Sequence, residues 1–293
     1  MASGVPMASA SRHLRRKLTN CVFVGLTSIA TALALAALVM ILWSLVAKGL
    51  GGINLASFTQ DQPGGGADVG QGGLRNGLVG SLILCAIGMA IALVIGILSG
   101  TWLAEYGDAS RLAGVVRFIN DVLLSAPSIL VGLFVYELLV SHLVGHFSAI
   151  AGGVALAVLA TPVITRTTED ILRLQSNQLR EAGMALGAGK GLVIRAIIWR
   201  ASRTGLVTGG LLGFARISGE TAPLLFTSLG NPFLSLNLGQ PMASLPTIIF
   251  NFALSADDNW RRLAWVAALI IAAFVLSANI IGRALAARGS SHK

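Results

Sequence analysis

The chain has 293 residues, 55% of them hydrophobic and only 11% charged, with 21 Lys/Arg against 12 Asp/Glu for a formal net charge of +9. Mean hydropathy is +0.79. This composition excludes an ordinary soluble domain and a disordered chain, and it indicates an integral membrane protein. The basic excess does not imply nucleic-acid binding, because the charges lie in short segments between apolar runs.

Six apolar runs approach or exceed the ~20 residues that carry a helix across hydrocarbon. They are 21–47, 77–103, 119–141, 147–165, 205–227 and 263–284. Lipid leaves backbone polar groups no partner outside a helix or a closed barrel, and these runs are too long for barrel strands. The expected fold is therefore all-α: a polytopic membrane protein of about six transmembrane helices.

In chain order, residues 1–20 form a basic arm. The first run, 21–47, is too long for a signal-peptide core and lacks an A-x-A cleavage site, so it reads as a spanning helix. Residues 48–75 include the stretch PGGGADVGQGG, which reads as a flexible extracytoplasmic loop. Residues 76–285 form the main membrane domain, and 286–293 the tail. The 119–141 run carries Asp121, Pro127 and Glu137, and Pro127 predicts a kink. Residues 228–262 hold Pro232, Pro241, Pro246 and the apolar TIIF patch, which predicts an irregular connection partly dipping into the membrane.

Cys21 and Cys85 both lie in apolar runs and read as small packing residues without a disulfide framework. Trp43, Trp102, Trp260 and Trp265 lie near run ends, as aromatic belts do. With six spans both termini share one side. That side collects sixteen Lys/Arg and the opposite side four, Lys48, Arg75, Arg261 and Arg262. The positive-inside rule then makes both termini cytoplasmic.

The run 205–227, GLVTGGLLGFARISGETAPLLFT, carries Arg216 at its middle and Glu220 four residues on. A charge at the centre of a bilayer costs about 2.5–3.5 kcal/mol on insertion scales, so such a residue usually faces a bundle interior or a transport path. On a continuous helix Gly205, Gly209, Gly213, Arg216 and Glu220 fall on one face. Glycines at that spacing let a second helix approach closely. Two readings stay open: an Arg–Glu pair that neutralises itself and locks two helices, or a guanidinium fork offered to a passing oxyanion. Arg166, after Pro162 at the end of the fourth run, reads either as a border arginine or as part of the same path.

The largest cytoplasmic segment, 166–204, predicts a helix starting after Ser176 or Asn177, a break at Gly187, Gly189 and Gly191, and a second short helix over 191–200. Such a block can dock into a groove on a soluble partner, or it can lie as an amphipathic loop on the membrane. Gly189-Lys190-Gly191 is not a P-loop, since G-x-x-x-x-G-K-[ST] is not satisfied. The chain therefore has no nucleotide site of its own and is not expected to be an enzyme. His142 and His146 lack further ligands for a metal, and no cofactor is implied.

This segment resembles the EAA loop of ABC importer permeases, whose pattern is Glu-Ala-Ala, three residues, Gly, nine residues, Ile, one residue, Leu-Pro. Here the match is Glu181-Ala182-Gly183, Gly187 and Ile197, with Gly183 for the second alanine and Trp199-Arg200 for Leu-Pro. Four further stretches resemble the PstA family, the permease subunits of phosphate ABC importers: SAPSILVGLFVYELL (125–139), ATPVITRTTEDILRL (160–174), ARISGETAPLLFTSLGNPF (215–233) and QPMASLPTIIFNFA (240–253).

The resemblance implies a type I ABC importer permease fold in a bacterial cytoplasmic (inner) membrane. Its implied partners are a PstC-like second permease, PstB-like ATP-binding subunits and a PstS-like phosphate-binding protein. Inorganic phosphate would pass by Arg216, Glu220 and Arg166. ATP-binding subunits would meet Glu181, Ala182, Gly183, Gly187 and Ile197, the small residues allowing close approach. A type I permease for sulfate, molybdate or a small organic solute remains an alternative, as does a secondary transporter or channel.

Overall fold

The computed structural model describes residues 7–63 and 72–288. Residues 64–71 of the Gly-rich loop, the first six residues of the basic arm and the last five of the tail lie outside the described residues. The chain divides into two compact units, residues 1–48 and 49–293.

The first unit is the bulk of α1, Met7–Gly52. Its apolar side chains, such as Leu26, Leu33, Val39 and Ile41, are exposed. On a helix long and apolar enough to span a bilayer, that is a surface made for lipid or for other membrane helices.

In the second unit, the last turn of α1 carries Gly49 and Gly52. A Cβ at Gly49 would meet Leu269 at 2.8 Å, and one at Gly52 would meet Val266 at 2.7 Å. After the one-turn α2, Ala56–Thr59, comes α3, Arg75–Tyr106. Next is α4, Arg111–Ser125, then α5, Ser128–Val135, which continues as a π-helix over Tyr136–Val144. The expected kink at Pro127 is a break. Ala126 is extended at φ −67°, ψ 136°, as a residue before proline must be, and the two halves are bent by 108°.

Then comes α6, Ala149–Arg173, which is capped by the Ser148 side chain and contains Pro162. Helix α3 carries a glycine every four to eight residues on the side that meets α6. A Cβ at Gly88 would meet Leu156 at 2.9 Å, at Gly96 Ile164 at 2.8 Å, and at Gly100 Thr168 at 2.6 Å. Both numberings rise together, so α3 and α6 run parallel with their backbones close, as small residues permit in a membrane. Leu84, Ala92, Leu156, Leu159, Ile164 and Ile217 fill the core between α3, α6 and α10.

The 166–204 segment, after the end of α6, folds as α7, Asn177–Ala185, then α8, Lys190–Val193, a π-turn Ile194–Ile198 and α9, Trp199–Ala201. The run 205–227 is not one helix. It is α10, Arg203–Ile217, and α11, Ala222–Thr227, with Pro223 in the first turn of α11. Pro223 has no N–H to continue the ladder from α10 and its ring excludes the carbonyl four residues earlier. The membrane still demands apolar residues on both sides of the break, which is why the run looks continuous.

The expected irregular 228–262 connection holds a nine-residue helix, α12, Leu245–Ala253, closed by a capping box between Ser244 and Thr247. Its buried face, with Ile248 and Phe252, packs on α13, Asp258–Arg288, around Leu263 and Val266. Among the described residues four helices are long and apolar enough to cross a membrane alone, and the bent α4–α5 pair makes a fifth. The broken α10–α11 pair occupies the fifth expected run, 205–227.

Candidate functional site

The glycine line on α10 is used as its spacing predicts. A Cβ at Gly205 would meet Ile171 at 2.6 Å, at Gly209 Thr167 at 3.2 Å, and at Gly213 Ile164 at 2.8 Å. As α10 rises in number its α6 partner falls, so the two helices are antiparallel. Extending that register one turn places Arg216 level with α6 near residue 160. At 1.5 Å per residue this is about 16 Å from the start of α6 and about 20 Å from its end, near the middle of a helix long and apolar enough to span a membrane. Arg216 is exposed and sits in the last turn of α10, where a cation is favoured by the free carbonyls.

The expected Arg216–Glu220 pair is not formed. Among the described residues no ion pair joins them. The reason is the break: α10 ends at Ile217, and the Glu220 N–H instead donates to the Ile217 carbonyl at 3.2 Å. The i,i+4 geometry that pairs side chains does not reach Glu220, which is half-buried.

Arg166 lies about 9 Å along the axis from the level of Arg216, six residues at helical rise. It is not a free cation. Its Nε is 3.4 Å from Asp170 Oδ2, one turn on, and its Nη1 is 3.9 Å from Asp121 Oδ1 of α4. Asn120, beside Asp121, donates to the Pro162 carbonyl at 3.1 Å. Arg117 on the same face of α4 pairs with the buried Glu169 at 2.8 Å. One face of α4 therefore grips α6 at three levels. Composition gave no sign of this face, because its partners are 42 to 52 residues away in the chain.

The 177–200 block forms the helix–turn–helix that the sequence predicts. Gly187 has φ +81°, the left-handed region that favours glycine. Gly183, expected to face a partner, is instead buried inside the block, where a Cβ would meet Ile197 Cδ1 and Val193 Cγ2, each at 2.9 Å. Its lack of a side chain brings α7 against the second helical stretch, and Ile197 fills the space. Glu181, Ala182 and Gly187 are exposed. Beside them runs a groove of about 500 Å3 that includes Asn177, Glu181, Met184 and Lys190. A small core of Leu172, Val193 and Ile198, with Leu179 and Trp199 against it, holds the block to the end of α6.

At the N-terminal end of α3, Asp61 accepts from Arg75 Nε at 2.9 Å and from the Leu234 N–H at 2.9 Å. The hydrogen bond from Arg75 is the main cause holding its carboxyl below the usual value. Asn76 donates to the Asn231 carbonyl at 2.7 Å. The N–H groups that open α6 are taken by carbonyls of the 227–240 stretch: Ser148 to Thr227 at 3.0 Å, Ala149 to Gln240 at 3.0 Å and Ile150 to Leu238 at 3.1 Å.

Comparison with known proteins agrees with this architecture. Residues 92–290 match the family described as binding-protein-dependent transport system inner membrane component. The chain is 47% identical over 284 residues to the phosphate transport system permease protein PstA of Xylella fastidiosa, covering 96% of this chain and 98% of that protein. It is 48% identical to the Haemophilus influenzae protein of the same name, covering 93% and 95%. A chain of the inward-facing MetNI methionine ABC transporter superimposes with a TM-score of 0.59 at 18% identity, over 74% of this chain and 94% of that one.

Proposed function

This chain belongs to the family of binding-protein-dependent transport system inner membrane components, and we propose on that premise that it is the permease subunit of an ATP-driven inorganic phosphate importer. It is a multi-pass membrane protein with a type I ABC importer fold, and family membership implies ATP-binding subunits as partners. The near-full-length likeness to proteins named phosphate permeases supports phosphate as the substrate. The remaining partners would be PstC-like, PstB-like and PstS-like: a second permease completing the pathway, the ATPase on the 177–200 block and a binding protein outside. Both termini would face the cytoplasm of a bacterial inner membrane.

The observation that carries the reading is Arg216, an exposed guanidinium near mid-membrane with no ion-pair partner among the described residues. Phosphate near pH 7 carries one to two negative charges, and an apolar tunnel would reject it. A fork of N–H donors at that depth lowers the barrier without depending on pH. Arg166, held between Asp121 and Asp170, would act nearer the cytoplasm, where the carboxylates compete with the anion and favour release. Glu220, beyond the break, would limit how tightly Arg216 holds phosphate. Glu181, Ala182 and Gly187 would present the block to the ATPase, with Gly183 and Ile197 shaping it from within.

The test is reconstitution. Proteoliposomes holding the complete transporter and the binding protein should take up radiolabelled phosphate only with ATP inside the cytoplasmic compartment, and labelled sulfate or molybdate should not enter. Uptake of sulfate in preference to phosphate would overturn the assignment. The purified chain alone should hydrolyse no ATP.

A further inference from the structure

Arg180 sits one residue before Glu181, yet it points the other way. Its side chain is 16% exposed, and that of its partner Glu105, at the end of α3, is 3% exposed. Nε lies 3.0 and 3.1 Å from the two Glu105 carboxylate oxygens, and Nη2 lies 2.7 Å from one of them. The remaining donors do not go to α3. Nη2 also donates to the Leu172 carbonyl at 2.7 Å, and Nη1 to the Gln175 carbonyl at 2.6 Å. One guanidinium therefore joins α7, the C-terminal end of α3 and the C-terminal end of α6.

The second half of the block reaches the same place. Lys190 Nζ donates to the Glu105 carbonyl at 2.6 Å and lies 4.0 Å from the Tyr106 ring centre. Trp199 Nε1 donates to Thr101 Oγ1 at 3.2 Å. Both cations sit where helix ends leave carbonyls free and the dipole favours positive charge. A planar fork with five donors can serve a carboxylate and two carbonyls at once, and a lysine cannot.

We propose that Arg180 and Glu105 are positioning residues that make the 177–200 block, α3 and α6 one rigid lever, so that a displacement of the block is delivered to the membrane helices. The consequence reaches the proposed pathway. Helix α6 carries Arg166, and the α10 glycines seat α10, which carries Arg216, on α6. The inference rests on the ABC importer reading but not on the identity of the substrate.

Two measurements on the assembled transporter test it, with Glu105→Gln and Arg180→Lys as variants; the first keeps the volume and removes the charge, and the second keeps the charge and removes the planar fork. Spin labels at Met184→Cys and Val94→Cys, in a Cys21→Ser background, report the distance between block and α3. In the wild type that distance should not change when ATP is added, while in either variant its distribution should broaden. In proteoliposomes the variants should hydrolyse ATP near the wild-type rate, but phosphate imported per ATP should fall about tenfold, within the usual range of allosteric coupling. The proposal is overturned if the wild-type distance shifts with ATP, if both variants behave as wild type, or if hydrolysis and import fall in proportion. A wild type that passes the distance test and imports no phosphate refutes only the choice of substrate.

Discussion

Gly183 lies against Ile197 across the coupling block, so close that a Cβ would meet Ile197 Cδ1 and Val193 Cγ2, each at 2.9 Å. Ile197 Cδ1 is the far end of a side chain and can turn aside, whereas Val193 is buried and branched. Gly183→Ala should therefore cost about 1 kcal/mol, because the buried Val193 cannot turn aside and the helix gain of alanine offsets only part of that clash. Gly183→Leu should cost about 1–3 kcal/mol by overpacking. Thermal unfolding of the detergent-purified transporter, with protease nicking near 183–197 as a local readout, separates the two.

Gly187 makes a different demand. Nothing lies within 4 Å of where its Cβ would be, and its φ is +81°. Gly187→Ala should cost roughly 1–2 kcal/mol of backbone strain with no clash. Gly187→Trp adds bulk on an exposed surface, and it should lower recovery of the ATP-binding subunits in co-purification while membrane insertion stays normal.

The tie between Asp61, Arg75 and Leu234 titrates in a known direction. Its folded carboxyl value is depressed below 3.8, chiefly by the hydrogen bond from Arg75. Its contribution is then fully present above that unfolded value and is lost as pH falls through the lower folded value. The Leu234 N–H, which donates to Asp61 Oδ2, should keep its hydrogen-exchange protection factor down to roughly pH 4 and lose it in stronger acid. Asp61→Asn should lower protection above roughly pH 4 to the level the wild type reaches in stronger acid, and abolish the dependence.

The glycine line 205–209–213 was legible because a period of four is a property of the chain itself, and any neighbour packed there needs the same small residues. The left-handed turn at Gly187 was legible for a similar local reason. The break after Ile217 was not read, although Ser218-Gly219 and Pro223 mark it, because the apolar run continues through it. That error produced the expected Arg216–Glu220 pair, since an i,i+4 pair presumes an unbroken helix. Gly183 was placed on the outer surface because a small residue looks the same from sequence whether its close neighbour is internal or foreign. The Arg180–Glu105 and Arg117–Glu169 pairs span 75 and 52 residues. Only the parallel packing of α3 and α6 brings the first together, and no local pattern announces it.

The central claim is that Arg216 carries phosphate past mid-membrane, and ATP-driven phosphate uptake by the reconstituted Arg216→Gln transporter tests it most directly. Glutamine keeps much of the volume and brings no charge, and the fold loses no ion pair, since none joins Arg216 to Glu220 among the described residues. Assembly and ATPase recovery should be unchanged, while uptake should fall by about a hundredfold or more, the cost of about 2.5–3.5 kcal/mol for an uncompensated charge at bilayer depth. Arg216→Lys should restore part of the uptake if charge alone suffices, and none if the planar fork is required. An Arg216→Gln transporter that assembles and imports phosphate at the wild-type rate would contradict the account.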